Sequence, residues 1–248
     1  MDYSESLKNI SAYIDDFYNK NNDTRLFYHN HAYTRELAGI VTRIAGNYKL
    51  DDRNLFITSA AAWFYNTGYL PAGGNDYKTK SAACAEQYLS GIGVDDATTS
   101  DVKKCILSAQ LPQRPQNIQE EILCDAVMYY LGTIEFPEKN KLLRRETEAL
   151  AGIKISGNEW RKKSIALMES HQYFTDYCRL LLSDTKNENI NRLKRKQEEH
   201  ETPAIAKNAF QNSNPGMGEA VAMPVVVPQG ENGAGVAQKK KIKKFLMD

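Results

Sequence analysis

The sequence predicts an all-α fold, organised as one helical domain over residues 1–198. Apolar residues recur at helical spacing through most of this range. No segment shows the sustained two-residue alternation of a β-strand bounded by turn residues. Hydrophobic residues make up 42% of the chain and charged residues 25%, which is ordinary for a soluble globular protein. The net charge of +1 gives no global field that would favour nucleic acid or an acidic substrate.

The first three helices follow from their apolar spacing. Residues 4–20 repeat apolar side chains at helical intervals, with Ser4 as the expected N-cap. A second helix is predicted from about residue 32 to 48. Asp51 opens a third helix that reaches Tyr65, and its Ala-rich sequence is apolar on every side. Such a helix is expected at the centre of a bundle.

Six further helices are predicted, at about residues 78–90, 98–109, 117–131, 138–150, 157–170 and 173–197. The four cysteines form no close pair and lie in apolar helical stretches, so we expect reduced thiols. The first 20 residues do not resemble a signal peptide, and no run of 18 apolar residues is present. These features predict a cytoplasmic protein.

The character of the chain changes after residue 198. Residues 199–238 are rich in proline, glycine and small polar residues without periodicity, which predicts a flexible linker. Residues 239–248 interleave five lysines with apolar residues. This basic tail is either a solvated end or a contact with nucleic acid, with an anionic membrane surface or with a membrane partner.

Three separate segments carry a recognisable pattern. Residues 28–34 read Tyr-His-Asn-His-Ala-Tyr-Thr, residues 60–69 read Ala-Ala-Ala-Trp-Phe-Tyr-Asn-Thr-Gly-Tyr, and residues 122–132 begin Ile-Leu-Cys-Asp-Ala. In this order and spacing they resemble the signatures of the HD-domain metal-dependent phosphohydrolases: Tyr-His-Asn-x-x-His-Thr, Ala-Ala-x-x-His-Asp-x-Gly-Tyr and Cys-Asp-Ala-Asp. The resemblance covers about residues 25–150 and implies an HD-like helical bundle.

The resemblance also implies a degenerate site, because most of the family's metal-ligand positions hold other residue types. In chain order these positions are Tyr33, Tyr65, Asn66, Tyr77, Lys78, Gln110 and Asp125. Phenol, carboxamide and ammonium groups are poor ligands for divalent metals, and a lone carboxylate does not hold one. His29, four residues before Tyr33, can share its helix face if the helix already runs there.

The resulting hypothesis is a non-catalytic module whose old pocket binds a nucleotide or phosphorylated small molecule without a cofactor. We expect its ligand-binding residues to be Tyr33, Tyr65, Asn66, Gln110, Asp125, Lys78 and His29. The tyrosines would stack on a base or fill the space left by the metals. Asp125 would receive the ligand or make a structural hydrogen bond. The candidate phosphate contacts are Lys78, Lys80, Arg35 and Arg114.

Two alternatives stay open. An active metal-dependent phosphohydrolase would need His29, His31 and Asp125 to gather a metal in an atypical geometry. A protein-interaction domain would bind a helical partner or form a homodimer through the C-terminal helix, whose spaced apolar residues are Tyr177, Leu180, Leu181, Ile190 and Leu193.

A narrower resemblance rests on the Gln-Arg-Pro-Gln-Asn turn at residues 113–117 and the Glu-Glu-Ile-Leu-Cys-Asp-Ala segment at 120–126. These segments are similar to the HD modules that precede transmembrane effector segments in bacterial cyclic-pyrimidine (Pycsar-type) defence proteins. That similarity implies a sensor role in anti-phage signalling.

Overall fold

A computed structural model describes residues 2–70 and 76–211, with side chains as far as residue 199. Over these residues the chain is helical and contains no β-strand, so the all-α prediction is confirmed. The helices are α1 Tyr3–Lys20, α2 His31–Ala45, α3 Asp52–Phe64, α4 Tyr77–Gly91, α5 Asp96–Ser108, α6 Ile118–Met128, α7 Phe136–Ala151, α8 Gly157–Ser170 and α9 Asp176–Gln211. Two short 3-10 turns, Thr67–Tyr69 and Tyr129–Gly132, follow α3 and α6.

The helices occur in the predicted order, and their ends are set by local capping. The N-cap of α1 is Asp2, whose carboxylate accepts a hydrogen bond from the Glu5 N–H at 3.1 Å. The expectation for Ser4 was therefore wrong, since Ser4 lies inside the first turn. Asp51 caps α3 as predicted, accepting from the Asn54 N–H at 2.7 Å. Helix α2 ends at Ala45, with Gly46 as its C-cap. This is earlier than the predicted end at about residue 48.

The last helix is longer than predicted. It continues to Gln211, so the first part of the expected flexible linker, residues 199–211, is helical. The rest of that linker, residues 212–238, and the basic tail, residues 239–248, lie outside the described residues. The chain divides into two compact units, residues 1–191 and 192–248, and the sites considered below lie in the first. Within the described segments, none of the helices combines the length and apolar character that crossing a membrane requires.

Helix α3 lies at the centre of the first unit, as its apolar sequence predicts. It contacts α1, α2, α4, α5 and α6. Phe56, Phe64 and the alanines between them are fully buried. Because α3 is surrounded, the residues that follow its C-terminal end enter the protein interior.

A buried histidine and lysine connect the end of α8 to α9. Lys186 Nζ lies 3.4 Å from His171 Nδ1, and the other ring nitrogen, Nε2, is buried without a hydrogen-bond partner. Burial, together with the nearby Lys186 charge, lowers the pKa of His171 to about 4. The histidine is therefore neutral in the folded protein at neutral pH.

This pair predicts an acid-dependent loss of stability. Because the folded state binds the His171 proton more weakly than the unfolded state, the stability is complete above pH 6.5 and is lost as the pH falls to about 4. The loss should be about 3 kcal/mol. Replacing His171 by phenylalanine should remove this loss. Urea unfolding of both proteins at pH 7 and pH 4 should therefore show a larger fall in the free energy of unfolding for the wild type than for the variant. Parallel slopes would contradict the assignment.

Candidate ligand-binding site

Five tyrosines pack together near the ends of α2, α3 and α4. This tyrosine cluster consists of Tyr28, Tyr33, Tyr65, Tyr69 and Tyr77. The rings of Tyr28 and Tyr33 lie 4.6 Å apart, and those of Tyr69 and Tyr77 lie 4.1 Å apart. His29 joins the two pairs, because its ring stacks on Tyr69 at 4.4 Å and meets Tyr33 edge-on at 5.4 Å. Tyr33 and Tyr65, which the sequence analysis selected, are both buried.

Lys78 places an amine inside this cluster. Its Nζ lies 2.7 Å from the centre of the Tyr65 ring and 4.3 Å from that of Tyr77. It donates a hydrogen bond to the Tyr65 carbonyl oxygen at 3.2 Å, and the side chain is 3% exposed. Burial lowers the pKa of Lys78 well below its ordinary value, and no described carboxylate forms an ion pair with the amine to offset that effect.

A close backbone approach holds Lys78 in position. A Cβ on Gly68 would lie 1.9 Å from the Tyr77 carbonyl oxygen and 2.7 Å from the Ser81 nitrogen, so only glycine fits there. The Gly68 N–H donates to Ser81 Oγ at 2.9 Å, and Ser81 Oγ donates to the Tyr65 carbonyl at 2.9 Å. These contacts fix the turn after α3 against the first turn of α4.

Asn66 lies at the start of that turn and is fully buried. Neither its side-chain oxygen nor its side-chain nitrogen has a hydrogen-bond partner. Buried amides are almost always hydrogen-bonded, and an unsatisfied one costs free energy. The position that the sequence analysis identified as a lost metal ligand therefore carries an unused donor and an unused acceptor.

Glu146 of α7, which is not among the residues expected from the sequence, completes the site. Its Oε2 accepts hydrogen bonds from the N–H groups of Tyr28 and His29 at 2.8 and 2.9 Å, and its Oε1 bonds to His29 Nδ1. Burial raises the pKa of Glu146, but the hydrogen bonds and charge of His29 outweigh it and the net pKa is lowered.

The signal for Glu146 is present in the sequence. Glu146 follows Leu142 by four residues and Leu143 by three, and it precedes Leu150 by four. It therefore lies on the apolar stripe of α7. A carboxylate on such a stripe is buried only when it has partners.

Asp125 does not lie in the tyrosine cluster. It is fully buried, and its carboxylate accepts hydrogen bonds from the N–H groups of Phe174 and Thr175 at 2.9 and 2.8 Å and from Thr175 Oγ1 at 2.6 Å. Thr175 Oγ1 in turn accepts from the Cys178 N–H at 3.2 Å, in the first turn of α9. Burial raises the pKa of Asp125 although the three hydrogen bonds oppose the shift. Asp125 was expected either to receive the ligand or to make a structural hydrogen bond. In the structure it makes structural hydrogen bonds.

Gln110 is also outside the site. Helix α5 ends at Ser108, so Gln110 falls in the following turn and is exposed to solvent. Gln110 therefore does not join the buried tyrosine cluster. Lys80 and Arg114 are exposed as well, and Arg35 pairs with Asp15. Lys78 is therefore the buried cation among the four candidate phosphate contacts.

The alternative metal site is not assembled. His29 bonds to Glu146, His31 Nε2 lies 2.7 Å from Asp15, and Asp125 faces the segment before α9. Among the described side chains, no group of three or more His, Cys, Asp or Glu residues is arranged to hold a metal ion. His29, His31 and Asp125 thus do not fit the atypical metal centre that the phosphohydrolase alternative needs.

Over the described residues, fold and site together define a helical protein whose interior holds a polar and aromatic cluster that includes a buried lysine. The chain matches no protein-family model, no curated protein and no solved structure.

Proposed function

We propose that this chain is a metal-independent binding module for a phosphorylated small molecule, with nucleotides as the expected class, and that Lys78 contacts the phosphate. The observation that carries the proposal is the buried amine of Lys78, which has aromatic rings and one carbonyl around it and no partner among the described carboxylates. A buried cation without a counter-charge is destabilising, so an anion that supplies the charge gains affinity.

The neighbouring groups suit the other parts of a nucleotide. The tyrosine cluster supplies aromatic rings of the kind on which bases stack, and because most of these rings are buried, a base reaches them only by displacing part of the cluster. Asn66 has a free donor and a free acceptor, which can read polar atoms on a base or a sugar. Lys78 also lies in the first turn of α4, where no acidic residue is present and where the helix dipole favours an anion.

A thermal-shift panel tests the proposal directly. The intact chain would be heated with inorganic phosphate and with nucleoside mono-, di- and triphosphates and cyclic nucleotides, each with and without chelator. A ligand that binds only the folded state raises its stability, by about 2.7 kcal/mol at 100 times Kd. We expect a shift that chelator does not change. A shift that chelator abolishes would favour the metal-dependent alternative, and the absence of any shift would overturn the proposal.

Replacing Lys78 by methionine should separate binding from stability. The variant should be more stable by about 1–3 kcal/mol, since it no longer buries an amine whose charged form burial disfavours. The Tyr65 carbonyl keeps its hydrogen bond from Ser81 Oγ. The ligand-induced shift should disappear. The matched control is Lys80→Met, two residues further along α4 and exposed, which should change neither quantity. A ligand shift that survives in the Lys78 variant would contradict the assignment.

The stability difference should also depend on pH. The folded-state pKa of Lys78 lies below the ordinary value of 10.5, so between these two values the unfolded chain binds a proton that the folded protein does not. The advantage of Lys78→Met over the wild type should therefore grow as the pH falls from 10.5 and then level off.

A sensor role in bacterial anti-phage signalling is a narrower form of the proposal. It rests on the sequence resemblance of residues 113–126 alone. The cyclic nucleotides of the ligand panel address it: a shift with a cyclic pyrimidine nucleotide that exceeds the shift with the linear monophosphate would favour this role.

A further inference from the structure

The histidine and lysine between the end of α8 and α9 are two buried donors that lack an anionic partner. His171 is the C-cap residue of α8, Lys186 lies within α9, and the two residues are 7% and 8% exposed. Lys186 donates a hydrogen bond to the His171 carbonyl oxygen, and its Nζ also lies 3.4 Å from His171 Nδ1. None of the described carboxylates forms an ion pair with this ammonium.

The contact with Lys186 decides which ring nitrogen of His171 carries the hydrogen. An ammonium group can only donate, so Nδ1 accepts and Nε2 is the protonated nitrogen of the neutral ring. This Nε2–H is buried and has no acceptor among the described residues. Buried polar atoms without a protein partner are rare, and a bound water or ion commonly satisfies them.

The surroundings offset only part of the Lys186 charge. The carbonyl end of α8 supplies about half a negative charge, through the hydrogen bond to the His171 carbonyl. The Tyr173 ring lies 5.6 Å from Lys186 Nζ and meets the His171 ring edge-on at 4.7 Å, but its hydroxyl donates to the Met128 carbonyl. Burial lowers the pKa of Lys186, and no acidic group opposes that shift. A cation without a counter-ion and an N–H without an acceptor therefore lie side by side.

We infer that His171 and Lys186 bind a small monovalent anion, of the size and charge of chloride, between the end of α8 and α9. A water molecule would accept from the His171 Nε2–H but would leave the Lys186 charge unopposed, whereas an anion satisfies both groups. The burial of both residues favours a small ion over an organic anion. The inference is independent of the proposed phosphate contact, because Lys78 lies in α4 and shares no described contact with either residue.

Thermal unfolding of the full chain tests the inference in mixtures of chloride and gluconate at constant ionic strength, so that general screening does not change. Gluconate is also monovalent but is too large for the site. The unfolding midpoint of the wild type should rise with chloride, by about 3–5 °C at ten times Kd. Lys186→Met should abolish this rise. The matched control Lys141→Met, exposed on α7, should keep it.

A second variant leaves the lysine in place. His171→Phe keeps the backbone carbonyl that Lys186 contacts and removes only the Nε2–H donor. Its chloride Kd should be about tenfold higher or more, since a hydrogen bond to a charged group is lost.

Nuclear magnetic resonance of the chloride ion gives a readout that does not depend on stability. The wild type should broaden the chloride signal more than Lys186→Met does at the same protein concentration. A chloride-dependent rise or a line broadening that persists unchanged in Lys186→Met would overturn the inference. So would a wild type whose unfolding midpoint is the same in chloride and in gluconate.

Discussion

Replacing Asp125 by alanine should lower the free energy of unfolding by about 3–5 kcal/mol, because it strands buried donors that a single carboxylate now satisfies. The donors are the N–H groups of Phe174 and Thr175 and the Thr175 hydroxyl. Thr175 also accepts a hydrogen bond from the first turn of α9, so the start of that helix should loosen first. Urea denaturation at neutral pH, with hydrogen exchange read at residues 174–178, measures both effects.

A matched control separates this effect from the general loss of a carboxylate. Asp176 lies in the first turn of α9, pairs with Arg179, and has a side chain that is 81% exposed. Asp176→Ala should change stability by less than about 1 kcal/mol, as for most exposed ion pairs. If Asp125 instead served ligand binding, its substitution would weaken the ligand shift and leave stability nearly unchanged. That pattern would contradict the structural role.

The sequence was sufficient to predict the helices because their apolar spacing is regular. The central position of α3 followed from a segment that is apolar on every side. The juxtaposition of Tyr65 and Lys78 was expected because both stand at ligand positions of one resembled motif set. In the structure the Gly68 contact holds the intervening turn against α4.

The roles of Asp125 and Gln110 could not be predicted from local pattern. The partners of Asp125 lie about fifty residues further along the chain, and no periodicity records such a contact. Gln110 follows α5 both in the prediction and in the structure, and the sequence does not record which way the turn after a helix directs a side chain. Glu146 was not predicted although its place on an apolar stripe is visible in the sequence, because its partners Tyr28 and His29 lie more than a hundred residues earlier in the chain.

Glu146 should contribute stability with the opposite pH dependence from Asp125. Its lowered pKa means that the folded state holds the proton more weakly than the unfolded state. The stability is therefore complete above the ordinary carboxyl pKa of 4.5 and is lost as the pH falls through the lower, folded-state value. The pKa of Asp125 is raised, so the folded state binds its proton more tightly than the unfolded state does. The contribution of Asp125 to stability therefore increases as the pH falls through this raised, folded-state pKa.

Glu146→Ala should cost about 3–5 kcal/mol at neutral pH, since it leaves the N–H groups of Tyr28 and His29 without an acceptor. Glu146→Gln keeps one acceptor oxygen and should cost about half as much. The control Glu138→Gln, exposed on the same helix, should be nearly neutral.

Denaturation of these variants at neutral pH and at successively lower pH should show the cost of Glu146→Gln shrinking below pH 4.5. A cost that stays constant or grows would show that the carboxylate charge does not hold His29 against the tyrosine cluster. A cost that shrinks would mean that acid releases the His29 end of the cluster. Ligand binding at Lys78 should then weaken in parallel, because the Tyr69 and Tyr77 rings link His29 to that amine.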